Sequence, residues 1–485
     1  MKPHLSSTLL QNSHAQARAG AISSARVIEL LQKYDRPGPR YTSYPPATEF
    51  RSMSPSVYLD ALERQTQLYG DAEPVSIYIH IPFCSSPCYY CGCNKIITRN
   101  RGNVRQYLDH LRKEMALLRL QSSVYKRPVT QLHWGGGTPT FLDDAEVTEL
   151  MHLTAHYFNL QAAKDRDYSI EVDPRTVTRE RIELLRGLGF NRISLGIQDF
   201  DQNVQKAINR VQGYAEIVEL VDTIRTRDFR SLNFDLIYGL PLQTVESIQE
   251  TLSQVIALSP DRISYYNYAH LPERFSAQRA INSQDLPTPS QRLEILTTII
   301  DTLTGAGYLY IGIDHFVKKD DPLALAKAQG KLRRNFQGYS IDKAADLIGL
   351  GVSSISTAGN VFAQNEVQLE HYYKALDANQ LPIARGLASN VEDALRREVI
   401  QQLSCFRSLD IAGLERDYKI NFAEHFRQAL PELEQFERDG LIVMRGQQGL
   451  TVTTDGTLLL RNICMAFDEY LNRGTPLRPM FSRAI

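Results

Sequence analysis

The sequence predicts an α/β fold: a partial (β/α) barrel with an N-terminal arm before it and a mainly helical C-terminal domain after it. Three observations carry this. Between residues 76 and 313, short β-branched or aromatic runs alternate with longer segments of helical periodicity, as parallel strands joined by helical crossovers require. The ends of the predicted strands are polar or glycine-rich, which suits the C-terminal mouth of a βα barrel, where chemistry gathers. From about Val391 the pattern changes to helices around one short strand pair.

Taken in order, residues 1–26 read as a flexible polar tail, basic and serine-rich, without the continuous apolar core of a secretory signal. Residues 27–70 read as an arm and a helix, because Pro37, Pro39, Pro45 and Pro46 hold the chain extended. The barrel is expected over residues 71–360, with strands at 76–81, 130–134, 168–172, 192–197, 233–238, 262–266 and 308–313. Helices are expected at 104–120, 179–188, 214–227 and 290–306. At the strand ends stand Gly135 to Gly137, Glu171 and Asp173, Gln198 and Asp199, Asp235, His270, and Asp314 with His315. Any one could be a helix cap or turn residue; the series favours a shared mouth. Residues 361–485 form the C-terminal domain, with helices at 393–402, 411–418, 422–438 and 458–471 and strands at 441–443 and 450–452. That arrangement is winged-helix-like, yet it carries no dense basic stripe, so packing or lid duty is expected in place of nucleic-acid binding.

Composition narrows the class. With 485 residues, 43% hydrophobic and 22% charged, the chain reads as an ordinary soluble protein. Lys and Arg total 54 against 55 Asp and Glu, so no global field recruits nucleic acid or an anionic membrane. No apolar run approaches the roughly 18 residues of a membrane helix, and cytoplasmic residence is expected.

Of six cysteines, Cys84, Cys88, Cys91 and Cys93 crowd into the loop after the first predicted strand as C-x3-C-x2-C-x-C. A structural zinc site usually pairs two knuckles across a longer loop, and a C-x-x-C redox relay would leave Cys84 unexplained. An iron–sulfur cluster explains the group best, because short spacings let one loop wrap a cubane. If Cys84, Cys88 and Cys91 held three irons, the fourth would remain open to a substrate or cofactor.

C-x3-C-x2-C after the first barrel strand resembles the signature of the radical SAM superfamily. Residues 83–95 (FCSSPCYYCGCNK) resemble one family within it, as do 132–140 (LHWGGGTPT), 170–174 (IEVDP), 191–200 (NRISLGIQDF), 235–241 (DLIYGLP), 267–272 (NYAHLP), 335–339 (NFQGY) and 350–356 (LGVSSIS). Residues 40–45 (RYTSYP) and 461–467 (RNICMAF) extend the resemblance from about residue 40 toward the C-terminus. The family is that of the oxygen-independent coproporphyrinogen III oxidases, or coproporphyrinogen dehydrogenases. Tyr90 departs from the family pattern, which carries Phe there. The related heme chaperones lack the last cysteine and are shorter, so Cys93 argues against a heme-binding alternative.

The resemblance implies one [4Fe–4S] cluster on Cys84, Cys88 and Cys91, and two S-adenosylmethionine molecules. It implies that Tyr78, Gly136, Glu171, Ala269 and Ile355 contact the first of these, and Tyr90, Gly137, Thr138, Gln198, Arg210 and Asp235 the second. Cys93 and Tyr78 are the implied catalytic residues beside the cluster, Cys93 not as a ligand. The implied reaction is oxidative decarboxylation of two propionates of coproporphyrinogen III to vinyl groups, giving protoporphyrinogen IX in heme biosynthesis. A reductant such as flavodoxin or ferredoxin, an electron acceptor and a monomeric state are implied as well.

Overall fold

The computed structural model describes residues 29–30, 33–34, 36–162, 166–336, 338–341 and 346–471. The expected tail at residues 1–26 lies outside these. Two compact units emerge, one of residues 47–287 with 342–390, the other of the segment before Ala47 with 288–341 and 391–485.

Seven parallel strands make the centre of the first unit: β1 (Val75–Ile81), β2 (Pro128–Gly136), β3 (Asp167–Val172), β4 (Arg192–Gln198), β5 (Ser231–Tyr238), β6 (Arg262–Asn267) and β7 (Asp346–Leu350). Their order in the sheet is β7-β1-β2-β3-β4-β5-β6, each neighbour pair parallel. Beyond β7 the sheet continues antiparallel through β8 (Ile355–Ala358), β9 (Val361–Asn365) and β10 (Ile383–Ala388), with Leu347 paired to Thr357 and Phe362 to Leu387. The sheet is open, so the barrel is partial, as the sequence predicts.

Side-chain alternation sets the two faces. Ile77, Ile79, Leu132, Trp134, Ile170, Ile193, Leu195, Phe234 and Leu236 are buried. Tyr78, His133, Ser169, Glu171, Ser194, Asn233 and Asp235 alternate with them and keep a polar, partly open face. Register aligns Tyr78 with His133, His133 with Ser169, Glu171 with Ser194 and Gly196 with Asp235. Capped helices supply the crossovers, including α1 (Arg101–Gln121), α2 (Asp144–Tyr157), α3 (Arg179–Gly187), α4 (Tyr214–Thr226) and α5 (Val245–Leu258). In α2, Asp143 and Glu146 form a reciprocal capping box that satisfies two orphan N–H groups. Within α1, Glu114 is buried and accepts from Gly351 N at 2.8 Å, Tyr372 OH at 2.7 Å and Asn365 Nδ2 at 2.6 Å. That carboxylate latches the turn after β7 onto α1.

Two expectations are corrected. Residues 308–313 were expected as a parallel strand; Leu309–Gly312 instead pairs antiparallel with His315–Val317, because Asp314, at φ 64°, turns the chain back. Asp314 and His315 therefore sit at a hairpin of the second unit, and Asp346–Leu350 is the seventh parallel strand. The units also depart from the boundaries expected at 70/71 and 360/361. Residues 361–388 belong with the sheet because their backbone groups complete its ladder, and the helix Pro55–Tyr69 falls in the same unit.

In the second unit, helices Val391–Phe406, Ile411–Tyr418 and Leu430–Arg438 pack with Leu460–Met465 around one apolar core. A three-stranded antiparallel sheet of Ser408–Leu409, Leu450–Val452 and Ile442–Met444 accompanies them, one strand more than the expected wing. The arm belongs here: Tyr34, Tyr41 and Tyr44 enter that core. Asn462 donates to Tyr34 O at 2.6 Å, Arg461 to Gly38 O at 2.6 Å, and Arg397 to Tyr44 O at 2.7 Å. Tyr41 OH donates to Asp468 at 2.9 Å.

Candidate active site

The cysteine loop leaves the C-terminal end of β1 and closes on itself. Phe83–Cys84 pairs with Ile96–Ile97, Ile96 N donates to Pro82 O at 2.7 Å, and Thr98 N to Cys84 O at 3.1 Å. The intervening residues 85–95 thus hang as one closed loop over the polar face of the sheet. The end of β2 runs against it, and the glycines there are required. Gly136 adopts φ 118°, which side-chain-bearing residues rarely reach, and a Cβ at Gly137 would lie 2.7 Å from Pro82 O and 3.0 Å from Cys84 Sγ.

Each clustered thiol has its own surroundings. Cys84 is buried beside Thr138 Oγ1 at 3.3 Å, and burial pushes its thiol up to about 11. Cys88 Sγ faces two guanidinium groups, Arg210 at 3.5 Å and Arg175 at 3.8 Å. Asp173 accepts from both, at 3.1 and 2.7 Å, and despite its burial they hold its carboxyl below the usual range. Cys91 is lowered to about 6 because the Cys93 thiol donates to it, with Lys95 adding positive charge nearby. The Cys93 backbone N–H also points at Cys91 Sγ, at 3.4 Å. Cys93 itself is exposed, and its thiol is raised by holding the proton it shares with Cys91.

Cys84 lies within electrostatic reach of both Cys88 and Cys91, so the three converge. Among the described residues no three His, Cys, Asp or Glu side chains close around a point for a single ion. Three neighbouring thiols on one closed loop, with an N–H group aimed at the Cys91 sulfur and two guanidinium groups at the Cys88 sulfur, fit a cubane held by three thiolates.

The polar sheet face supplies the rest. Tyr78 stacks on His133, ring centroids 5.8 Å apart, and its OH meets His80 Nδ1 at 3.0 Å. His80 Nε2 lies 2.9 Å from Asn94 O, a carbonyl that can only accept; the ring is therefore protonated on Nε2 and takes the tyrosine hydroxyl on Nδ1. Burial lowers the His80 pKa and keeps it neutral. Glu171 accepts from Gly136 N at 3.2 Å and pairs with His133 at 3.3 Å. Asp235 accepts from Ser194 Oγ and, at 2.9 Å, from Asn233 Nδ2; burial pushes it up to about 6, with Glu171 adding to the rise.

The sequence-predicted residues therefore divide. Cys84, Cys88, Cys91, Cys93, Tyr90, Gly137, Thr138 and Arg210 gather at the cysteine loop, where Cys88 and Arg210 both influence the half-buried Tyr90. Tyr78 and Asp235 lie within the neighbouring strands, on their polar face, and Gly136 and Glu171 near the strand ends. Gln198 ends β4 with φ 67° and stands beside Arg210, since a Cβ at Gly196 would lie 2.8 Å from both Gln198 Nε2 and Arg210 Nη2. Ala269 follows β6 and is tied to Tyr90 through Gln278, and Ile355 opens β8 on the far side of β7. Arg210 does not meet Asp235: its donors go to Gly196 O at 2.7 and 3.2 Å, to Asp173 and to Cys88. Asp199 does not face the mouth either, being fully buried against Gln243 at 2.6 Å and Thr251 at 2.8 Å.

Sequence reasoning missed Arg175, His80, His133 and Lys95. Arg175 follows the IEVDP motif directly and Lys95 closes the cysteine motif, so both had a positional signal. The two histidines had only strand alternation to mark them.

Residues 78–255 match the radical SAM superfamily. The chain is 48% identical over 458 residues to the oxygen-independent coproporphyrinogen III oxidase of Pseudomonas aeruginosa, covering 94% of this chain and 98% of that one. It is 46% identical to the Escherichia coli enzyme of that description, covering 94% and 98%. It superposes on the solved structure of the Escherichia coli coproporphyrinogen III oxidase, described as a radical SAM enzyme, with a TM-score of 0.85 at 45% identity, over 91% of this chain and 98% of that one. Near-complete coverage at this identity, together with three converging thiols at the end of the first parallel strand, makes the chain a member of the oxygen-independent coproporphyrinogen III oxidase family of radical SAM enzymes.

Proposed function

We propose that this protein catalyses the oxygen-independent conversion of coproporphyrinogen III to protoporphyrinogen IX in heme biosynthesis. Each of two propionate side chains gives up one β-hydrogen atom, one carbon dioxide and one electron, and becomes a vinyl group. The observation that carries the reading is the convergence of Cys84, Cys88 and Cys91 above a polar parallel-strand mouth in a chain of this family. When bound, a [4Fe–4S] cluster and S-adenosylmethionine supply the one-electron chemistry that starts hydrogen abstraction.

The chain's own residues would do the holding. Cys84, Cys88 and Cys91 bind the cluster, and Arg175 and Arg210 donate to the Cys88 sulfur. Gly137 lets the end of β2 approach Cys84 without a side chain between them. Tyr78, Gly136, Glu171, Ala269 and Ile355 line the first S-adenosylmethionine; Glu171 serves as acceptor and already orders the Gly136 N–H. Tyr90, Gly137, Thr138, Gln198, Arg210 and Asp235 line the second. Cys93, hydrogen-bonded to Cys91 and not part of the ligand set, serves with Tyr78 as a catalytic residue beside the cluster. The reading further takes the protein as a cytoplasmic monomer, reduced by a flavodoxin or ferredoxin and passing its substrate's electrons to a separate acceptor.

The test is an anaerobic assay of the reconstituted protein with coproporphyrinogen III, S-adenosylmethionine and a reductant, reading protoporphyrin after oxidation of the product. Turnover that needs all three components is expected, with two S-adenosylmethionine molecules bound per chain. A fully iron-loaded protein that binds heme or porphyrin but forms no product would overturn the assignment.

A further inference from the structure

Cys91 is gripped from both sides by a segment that none of the motifs above contains. The ring of Phe275 lies against Gly92, where a Cβ would meet its edge at 3.1 Å. One turn later, Gln278 in the short 3-10 helix Ser276–Ala280 reaches the residue before Cys91. Its Nε2 donates to Tyr90 O at 3.0 Å and to Ala269 O at 3.0 Å, and its Oε1 accepts from Leu271 N at 2.6 Å. Gln278 is 1% exposed.

The amide orientation is forced. Two carbonyls must receive N–H groups and the Leu271 N–H must meet an oxygen, so the flipped amide would lose all three bonds. A buried side chain that spends both its donors on two separate loops is a tie between them. The cysteine loop's other edge is held independently: Asn209 donates to Pro87 O at 2.7 Å, and Tyr89 N to Ile208 O at 3.0 Å. Remove Gln278 and that second edge, with the packing of Tyr90 near Tyr268 and Ile281, keeps the loop folded, while the directional tie between Tyr90 O and Ala269 O is lost.

We propose that Gln278 is a positioning residue that fixes the Cys91 side of the cysteine loop against the Ala269 loop, and so sets the gap that the first S-adenosylmethionine fills. The inference rests on the reading in which Cys91 holds the cluster and Ala269 lines that cofactor.

The test uses the full-length, anaerobically reconstituted protein and two variants. Q278M keeps the volume and loses all three bonds; Q278E keeps the acceptor for Leu271 and loses both donors. Iron and sulfide content are measured first. S-adenosylmethionine is then titrated against the electron paramagnetic resonance signal of the reduced cluster. In the wild type the signal should change saturably. Both variants should carry a full cluster, with half-saturation displaced about tenfold upward and the deficit in turnover appearing in KM more than in kcat. A role confined to stability would lower Tm and leave the titration where it is, which would overturn the proposal. Loss of iron in both variants would overturn it too, by making Gln278 a requirement for cluster assembly. No signal change in the wild type would instead sink the underlying cofactor reading, and the inference with it.

Discussion

A sulfur's neighbours decide whether it waits as a thiol or as a thiolate, and the clustered cysteines differ in this. Cys91 is the acidic member, Cys84 the buried and reluctant one, and Cys93 the proton donor to Cys91. Replacing Cys84, Cys88 or Cys91 by Ala should each abolish cluster assembly, read as iron and sulfide per chain. Cys93→Ala should keep the cluster and lose much of the activity; loss of iron there would make Cys93 a ligand. Asp235 supports a second prediction. It is surrounded by Ser194, Asn233, Ser264 and Glu171, and burial brings its titration up to about 6. Its carboxylate form, needed to meet a cationic cofactor group, therefore prevails above that pH and fades below it. Binding of a second S-adenosylmethionine should weaken as pH falls from 7 to 5. Asp235→Asn should remove that dependence, and at pH 7 should cost on the order of 2 kcal/mol, roughly thirtyfold in occupancy.

The turn after β7 is held to α1 by the Glu114 carboxyl and by Tyr107 OH, which accepts from Val352 N at 3.1 Å. Glu114 has three donors and a desolvated site, and burial pushes its carboxyl up to about 7 against those hydrogen bonds. A raised folded pKa means that the native state holds the proton more tightly than the unfolded chain does. The linked stability is fully present below the unfolded value near 4.5 and is lost as pH rises through about 7. Thermal unfolding of the wild type should show this loss between pH 5 and pH 8, and Glu114→Gln, which does not titrate, should show a smaller one. An identical pH profile in both would place the proton elsewhere.

Over the whole chain, the arm and the C-terminal helices share one core although their paired residues stand 353 positions apart at Tyr44 and Arg397 and 428 apart at Tyr34 and Asn462. Tyr41→Phe removes a buried hydrogen bond to Asp468, whose carboxyl burial already pushes up to about 6. It should destabilise that unit by about 1 kcal/mol, seen as a lower Tm, while iron content stays unchanged because all four clustered cysteines lie in the other unit. A loss of iron without a change in Tm would contradict this division of labour.

What the sequence by itself determined is whatever depends on neighbours along the chain. Period-two alternation in the strands at Val75–Ile81 and Arg192–Gln198, the closing of β1 into the cysteine loop, and the family resemblance of the motifs were all legible there, because strand faces and short ligand spacings are local properties. The tertiary structure alone decided the rest. Residues 308–313 have the composition of a parallel strand, but the turn at Asp314 and the pairing with His315–Val317 made them a hairpin. The seventh strand, at Asp346–Leu350, was found only through its ladder with Val75–Ile79. Arg175 beside Cys88, Glu114 beneath Gly351 and Gln278 between Tyr90 and Ala269 act across 87, 237 and 188 positions respectively. A polar side chain's role in such a place is set by which carbonyls, N–H groups and thiols folding brings within about 3 to 4 Å of it, and no local pattern encodes that.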